Sequence, residues 1–516
     1  IYLKLLEKKP KDSHLLETEE EYRYQGLQKL EKKEYSSAIQ NLTNAIQINP
    51  LIPENYNLRG LARYRLKDYN GAIRDFSQSL DLKPDYLDAL NNRGLAKADI
   101  HDLSGALEDF NEAILLTPED ASLYSNRGNV YSLQENFQRA ISDFTSAIHY
   151  DSSSLKAYYN RGNIYNDQEY YEKALIDFNM VLKLDPEFSE AYNSRGNTKK
   201  LLGNLTGALS DYTQAIRLDP KNACSYGNRG ELKQLQEDIQ GALSDYEEAL
   251  RLDPNFIDVY QLRANLYREL GSFEDAAHDF DTLIQLQPNE GEHYYLRGLV
   301  QAQLGGMDQA LADFNHALEL KSKNPEIYLA RGMAHKDLKN FSKALEDLNQ
   351  FIQLQPDQSL GYIYRGEVKK SLKEMKGALA DFNFAIQIEP ESTRAFLARG
   401  LFCYSEKAWK RALIDFAQMI KLDPYSSEAY FHRGKTKYQL QDFSGAVLDF
   451  DQAIQKNPKY TQAYYERGLT QHSQKKREEA KKDFTIFLKR TQKSTSRKVL
   501  RQRKKILKLY PELDPK

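Results

Sequence analysis

Cysteine is almost missing from this chain: only Cys224 and Cys403 occur in 516 residues. Two cysteines far apart exclude a disulfide-built fold and point to a reducing compartment, the cytoplasm or the nucleus. Long apolar runs are missing as well. None approaches the ~20 residues needed to cross a bilayer, and no signal-peptide pattern opens the chain, so we expect a soluble protein. The sequons at Asn41, Asn204 and Asn340 are read as chance. The nine histidines are scattered, with no HExxH and no Cys/His cluster at ligand spacing. His293, His335 and His472 are expected on helix surfaces rather than as bases. Neither a Gly-rich phosphate loop nor a G-x-S-x-G occurs. These absences lead us to expect no catalysis, no metal and no cofactor. The first residue is Ile1 rather than Met, which leads us to expect that sequence precedes it.

What is present is a period. The stretch Ser189 to Asn222, SEAYNSRGNTKKLLGNLTGALSDYTQAIRLDPKN, places Tyr192, Gly196 and Lys199 on one helical face and Ala208, Tyr212, Ala215 and Ile216 on another. Gly203-Asn204 punctuates the first helix, and Asp219-Pro220 stops the second, because proline cannot continue the hydrogen-bond ladder. Gly196 costs about 1 kcal/mol of helix propensity, and close approach of two backbones, with Tyr192 and Tyr212 filling the remaining space, supplies the reason. Steps of 34 from Gly26 reach Gly60, Gly94, Gly128, Gly162, Gly196, Gly230, Ala264, Gly298, Gly332, Gly366, Gly400, Gly434 and Gly468. An alanine follows twelve residues later in all fourteen, from Ala38 to Ala480, and the matching proline occurs in eleven, Ser152, Ser322 and Gln492 being the exceptions.

This pattern of a large residue, Gly, Tyr, Ala, a large aromatic, Ala and Pro over 34 positions resembles the tetratricopeptide repeat family, over nearly the whole chain. The resemblance implies an all-α, right-handed superhelical solenoid in which each repeat touches only its neighbours. We divide the chain into a capping segment or degenerate repeat at 1–18, fourteen repeats at 19–494, and a basic capping helix and tail at 495–516.

In thirteen repeats an arginine precedes the glycine position, as in Arg59 and Arg467, and an aspartate follows that position by fifteen, as in Asp75 and Asp483. Each stands eight residues from the hairpin turn, so the hairpin should pair them. Repeat one has Gln25 and Asn41 there and lacks both partners together. We read the series as structural rather than as a nucleic-acid track.

Function is expected on the first helices, which in the family line a concave groove. There the third to eighth repeats carry Asn92, Asn126, Asn129, Asn160, Asn163, Ser194, Asn197, Asn228 and Asn265. Asparagine is a poor helix former, but its carboxamide offers donor and acceptor to the backbone of an extended peptide of any sequence. This row resembles the asparagine ladder of the O-linked N-acetylglucosamine transferase family. Bonding between the asparagines themselves is the competing reading; we favour peptide binding. In the ninth to fourteenth repeats the face carries Tyr295, Leu299, Met333, Leu397, Leu401 and Phe431 instead, an apolar strip of the kind that marks interaction sites. The family's carboxylate clamp needs a lysine three before the glycine, where this chain has Arg23, Asn57, Asn91, Ser125, Tyr159 and Asn193. Chaperone C-terminal peptides are therefore disfavoured.

Residues 489–516 hold eleven Lys/Arg against two Asp/Glu, a net +9 that leaves −11 on the rest of a chain with net charge −2. A helix capped by Ser496 should cover the last repeat with Val499, Leu500, Ile506, Leu507 and Tyr510. Its outer face, with Arg501, Arg503, Lys504 and Lys505, is a candidate for anionic lipid, nucleic acid or an acidic protein tail. We therefore expect a non-catalytic scaffold that binds extended or helical protein segments. The alternatives are the substrate-recruiting arm of an enzyme whose catalytic domain lies outside this chain, and an adaptor tethered through the tail. By analogy with long arrays of the family, cilia and the cytoskeleton are candidate locations.

Overall fold

The computed structural model describes residues 18–513. The capping segment expected at 1–18 falls outside them except for Thr18, which caps the first helix, α1 (Glu19–Glu31). Its hydroxyl accepts from the Glu21 N–H at 3.3 Å, and its own N–H donates to Glu21 Oε2 at 2.9 Å, a reciprocal capping box.

The described residues form twenty-nine α-helices and no strand. Twenty-eight of them pair into fourteen hairpins of the 34-residue repeat, and the last, α29 (Arg497–Leu509), follows them. The protein is an all-α solenoid of stacked helical hairpins. It divides into two compact units, residues 1–259 and 260–516. Within each, every hairpin packs on the hairpins adjacent in sequence.

Each hairpin turns through a residue with positive φ, Gly203 at +79° and Lys67 at +64° for example. In the second hairpin the Asp68 N–H returns to the Arg63 carbonyl at 2.9 Å and the Lys67 N–H to the Tyr64 carbonyl at 2.9 Å, closing the first helix. The Asp68 carboxylate then caps the next helix through the Gly71 N–H at 3.0 Å.

The repeated glycine stands where two helices meet. A Cβ built on Gly196 would lie 2.7 Å from Tyr212 Cε1, and one on Gly60 would lie 2.6 Å from Phe76 Cε1. Both rings are fully buried, as are the repeated alanines Ala208 and Ala72. The missing side chain is the space that the aromatic ring occupies.

In all thirteen repeats that carry them, the arginine and aspartate form a two-pronged pair. Arg195 Nε donates to Asp211 Oδ2 at 2.8 Å and Nη2 to Oδ1 at 2.7 Å. The third nitrogen ties hairpins together: Arg195 Nη1 donates to Asn179 Oδ1 of the preceding hairpin at 2.7 Å, and Arg127 Nη1 to Asn111 Oδ1 at 2.7 Å. Such fork-shaped pairs fix geometry.

The link between the ninth and tenth hairpins is irregular. Ser322 replaces the usual proline, the preceding helix (Met307–Glu319) is one residue shorter than most second helices, and Lys321 adopts φ +58°. Elsewhere among the described residues, positive φ is confined to the turn inside a hairpin.

Candidate functional site

In the unit spanning 1–259, first helices stacked one residue-row above another bring repeat-equivalent side chains within reach. The Nδ2 of Asn92 donates to Asn57 Oδ1 at 3.2 Å, that of Asn126 to Asn91 at 2.8 Å, that of Asn160 to Asn129 at 2.8 Å, and that of Asn228 to Asn193 at 2.9 Å. Asn92, Asn126, Asn129, Asn160 and Asn228 are therefore tied into inter-hairpin pairs. Asn197 accepts from the buried Tyr212 hydroxyl at 2.6 Å, and Asn163 is half-buried on the same face. In the unit spanning 260–516, Asn265 Oδ1 accepts from Arg268 Nη1 at 3.1 Å.

These pairs leave capacity unused. Asn126 has one N–H and its carbonyl without a partner among the described residues, and so has Asn228. Asn129 is exposed. The partners Asn57, Asn91 and Asn193 were not among the candidate binding residues; their spacing of 35 from Asn92, Asn126 and Asn228 is the signal that would have found them.

The apolar strip divides. Phe431 is 5% exposed and packs on Phe450 and Tyr460, with ring centroids 6.0 and 4.7 Å away. It belongs to the core, because the next hairpin covers it. Tyr295, Leu397 and Leu401 are half-buried at the margins of core clusters, and burial pushes the Tyr295 hydroxyl up to about 12. Leu299 and Met333 line a cavity of about 650 Å³, together with Met307, Phe314, Arg268 and Asp337. Sequence reading placed the two lining residues on one face but missed the void. Its signal is two alanines, Ala302 and Ala330, also lining it, where most hairpins carry larger side chains.

The histidine expectation needs correcting. His293 and His335 are buried, at 3% and 8% exposure, and desolvation pushes both below the usual imidazole range. His472 is tied through Nδ1 to the Tyr510 hydroxyl at 2.9 Å. No group of three or more His, Cys, Asp or Glu among the described residues could hold a metal ion. No helix among them is long and apolar enough to cross a membrane.

At the C-terminus α29 lies on the fourteenth hairpin. Ile506 and Tyr510 are fully buried against Phe484, Phe487 and Leu488, with Val499 and Leu507 alongside. Leu500, placed on the covering face from its spacing, is 48% exposed. Arg503, placed on the outer face, instead reaches the Leu488 carbonyl at 2.6 Å and the Thr491 hydroxyl at 3.2 Å. It thereby satisfies the end of the preceding helix (Arg477–Arg490). Arg501, Lys504 and Lys505 are exposed.

Stacked hairpins, clasped by Arg–Asp pairs and carrying a polar or apolar first-helix face, define an interaction scaffold built from helical repeats. Tetratricopeptide repeat profiles match residues 53–86, 155–188, 189–222, 225–256, 245–278, 264–335 and 325–358, and a TPR repeat profile matches 434–475. The chain belongs to the tetratricopeptide repeat family. Among solved structures it is similar to the APC/C hetero-tetramer Cut9–Hcn1, at 15% identity over 91% of this chain and 98% of that one, with a TM-score of 0.42. It is also similar to yeast Tom70, at 18% identity over 92% and 99% with a TM-score of 0.40. A third is YrrB, described as a TPR protein with an unusual peptide-binding site, at 22% identity over 36% and 97% with a TM-score of 0.32. No curated protein matches the chain.

Proposed function

We propose that the first-helix face binds extended protein segments, through carboxamides in the third to eighth repeats and through apolar contacts in the ninth to fourteenth. The observation that supports this is the half-used asparagine pair. Each inter-hairpin bond holds a carboxamide in one orientation while leaving a donor and an acceptor for a peptide backbone, so little side-chain ordering remains to be done on binding. The chain acts as a non-catalytic scaffold.

A photo-crosslinking residue at Asn129, on the first-helix face, should join protein partners in cells, whereas one at the exposed Ile176 on a second helix should not. Equal crosslinking from both positions, or from neither, overturns the reading. A second reading, an adaptor tethered to an anionic surface, is favoured by the exposed Arg501, Lys504 and Lys505. Association that weakens with salt and maps to α29 would support it.

A further inference from the structure

In several hairpins the residue four after the repeated glycine spans to the next hairpin. Lys200 reaches Glu231 at 2.6 Å, Lys336 reaches Glu367 at 2.7 Å, and the Lys435 ammonium sits 4.9 Å from the Tyr404 ring centroid. In others the residue two before the glycine spans back, as Asn126 and Asn228 do. Between the ninth and tenth hairpins both spans are lost together, because Ala302 and Ala330 stand at those positions. The result is the cavity of about 650 Å³ already described, with Leu299 and Met333 on its walls.

The lining of this cavity carries one charge of each sign, Arg268 and Asp337. Arg268 gives Nη1 to Asn265 and has no carboxylate partner among the described residues; Asp337 is exposed and likewise unpaired there. They stand on first helices two hairpins apart. At roughly 8–10 Å per helix step the separation is about 16–20 Å, which an extended chain covers in about five or six residues at ~3.3 Å each. A volume of this size accepts a bulky side chain and its flanking backbone, and methionine walls such as Met307 and Met333 adapt to its shape.

We infer that this cavity is an anchor site for one bulky apolar side chain of an extended partner segment, flanked two or three residues away by an acidic side chain directed at Arg268 and, on the other flank, a basic one directed at Asp337. The inference deepens the scaffold reading above and rests on it. The apolar anchor supplies the grip; the two charges set the direction in which the segment lies.

The test uses the full chain and fluorescein-labelled synthetic peptides with a central phenylalanine, glutamate three residues before it and lysine three after, together with the reversed charge order and a version with glycine at the centre. One charge order should bind at least tenfold more tightly than the other, and the glycine version should lose binding. Ala302→Trp, which fills the cavity from its half-exposed wall, should abolish binding without changing the melting temperature. Ala330→Leu serves the same end if the tryptophan variant does not fold. Arg268→Glu combined with Asp337→Lys should invert the preferred order. Equal binding by wild type and the filled variants, or indifference to the central residue, overturns the anchor site; indifference to charge order overturns the assigned direction. Crosslinks from Asn129 that persist while the peptides fail would leave the scaffold standing and remove only this site.

Discussion

At the fifth hairpin, Arg161 and Asp177 show what a single repeated pair contributes. Arg161 gives Nε and Nη2 to the carboxylate at 2.8 and 2.7 Å and Nη1 to the Thr145 hydroxyl of the preceding hairpin at 2.9 Å. Its neighbour at the position where other hairpins place a second cation, Lys199 on Asp211 for example at 2.7 Å, is Tyr165. Asp177 is 1% exposed and so depends on this one guanidinium for charge balance. Removing one partner from a buried pair strands the other and costs about 3–5 kcal/mol, whereas replacing both by apolar groups of similar volume is nearly neutral. Asp177→Ala should therefore destabilise its hairpin far more than the double change Arg161→Met with Asp177→Leu. Urea unfolding followed by a probe in that hairpin checks this; equal losses would show that the pair carries net attraction rather than geometry.

The terminal helix α29 shows which parts of an element sequence periodicity can place. Its existence, its Ser496 start and its buried Ile506 and Tyr510 were legible, since amphipathic spacing marks a covering face. The edges of that face were not, because Leu500 and Arg503 lie where helix rotation against the fourteenth hairpin decides burial. The same reason governs Phe431, whose first-helix position looked open until the next hairpin covered it. Thus the strict 34-residue step fixed the hairpins and the Arg–Asp pairs in advance, while side chains between hairpins depended on packing. Ile506→Ser should destabilise the fourteenth hairpin by about 2–4 kcal/mol, and Leu500→Ser should change it little; equal melting of the two variants would deny the cap. Beside this interface, burial holds the Glu466 carboxyl above the usual carboxylate range, against the pull of Lys435 and of Lys498 and Lys505 on α29. A carboxyl that binds its proton more tightly when folded favours the fold at acid pH, and that contribution is lost as pH rises through the folded value. Glu466→Gln should accordingly stabilise the protein at neutral pH and flatten the fall in stability as pH rises above the ordinary glutamate range, read from urea unfolding across a pH series.

At the scale of the whole molecule, stability is a sum of hairpin and neighbour terms rather than the property of one core. The core clusters show this directly: Ala208, Tyr212 and Leu232 form one, and Phe431, Ala446, Phe450, Ala453 and Ala463 another, each drawn from adjacent hairpins. A side chain forced into the contact at Gly196 would meet Tyr212 at 2.7 Å, and one at Gly434 would meet Phe450 at 2.9 Å. Overpacking of this kind costs about 1–3 kcal/mol or more. Because the two sites share no neighbour, Gly196→Leu and Gly434→Leu should each lower hydrogen-exchange protection in their own and adjoining hairpins, and the double variant should show both losses with energies that add to within about 0.5 kcal/mol. In a protein with one cooperative core, either change would instead lower protection everywhere. A uniform loss from Gly196→Leu alone, reaching hairpins beyond residue 400, would show that the hairpins do not unfold as semi-independent neighbours and would remove the physical basis for treating the asparagine pairs and the Leu299–Met333 cavity as separable binding surfaces.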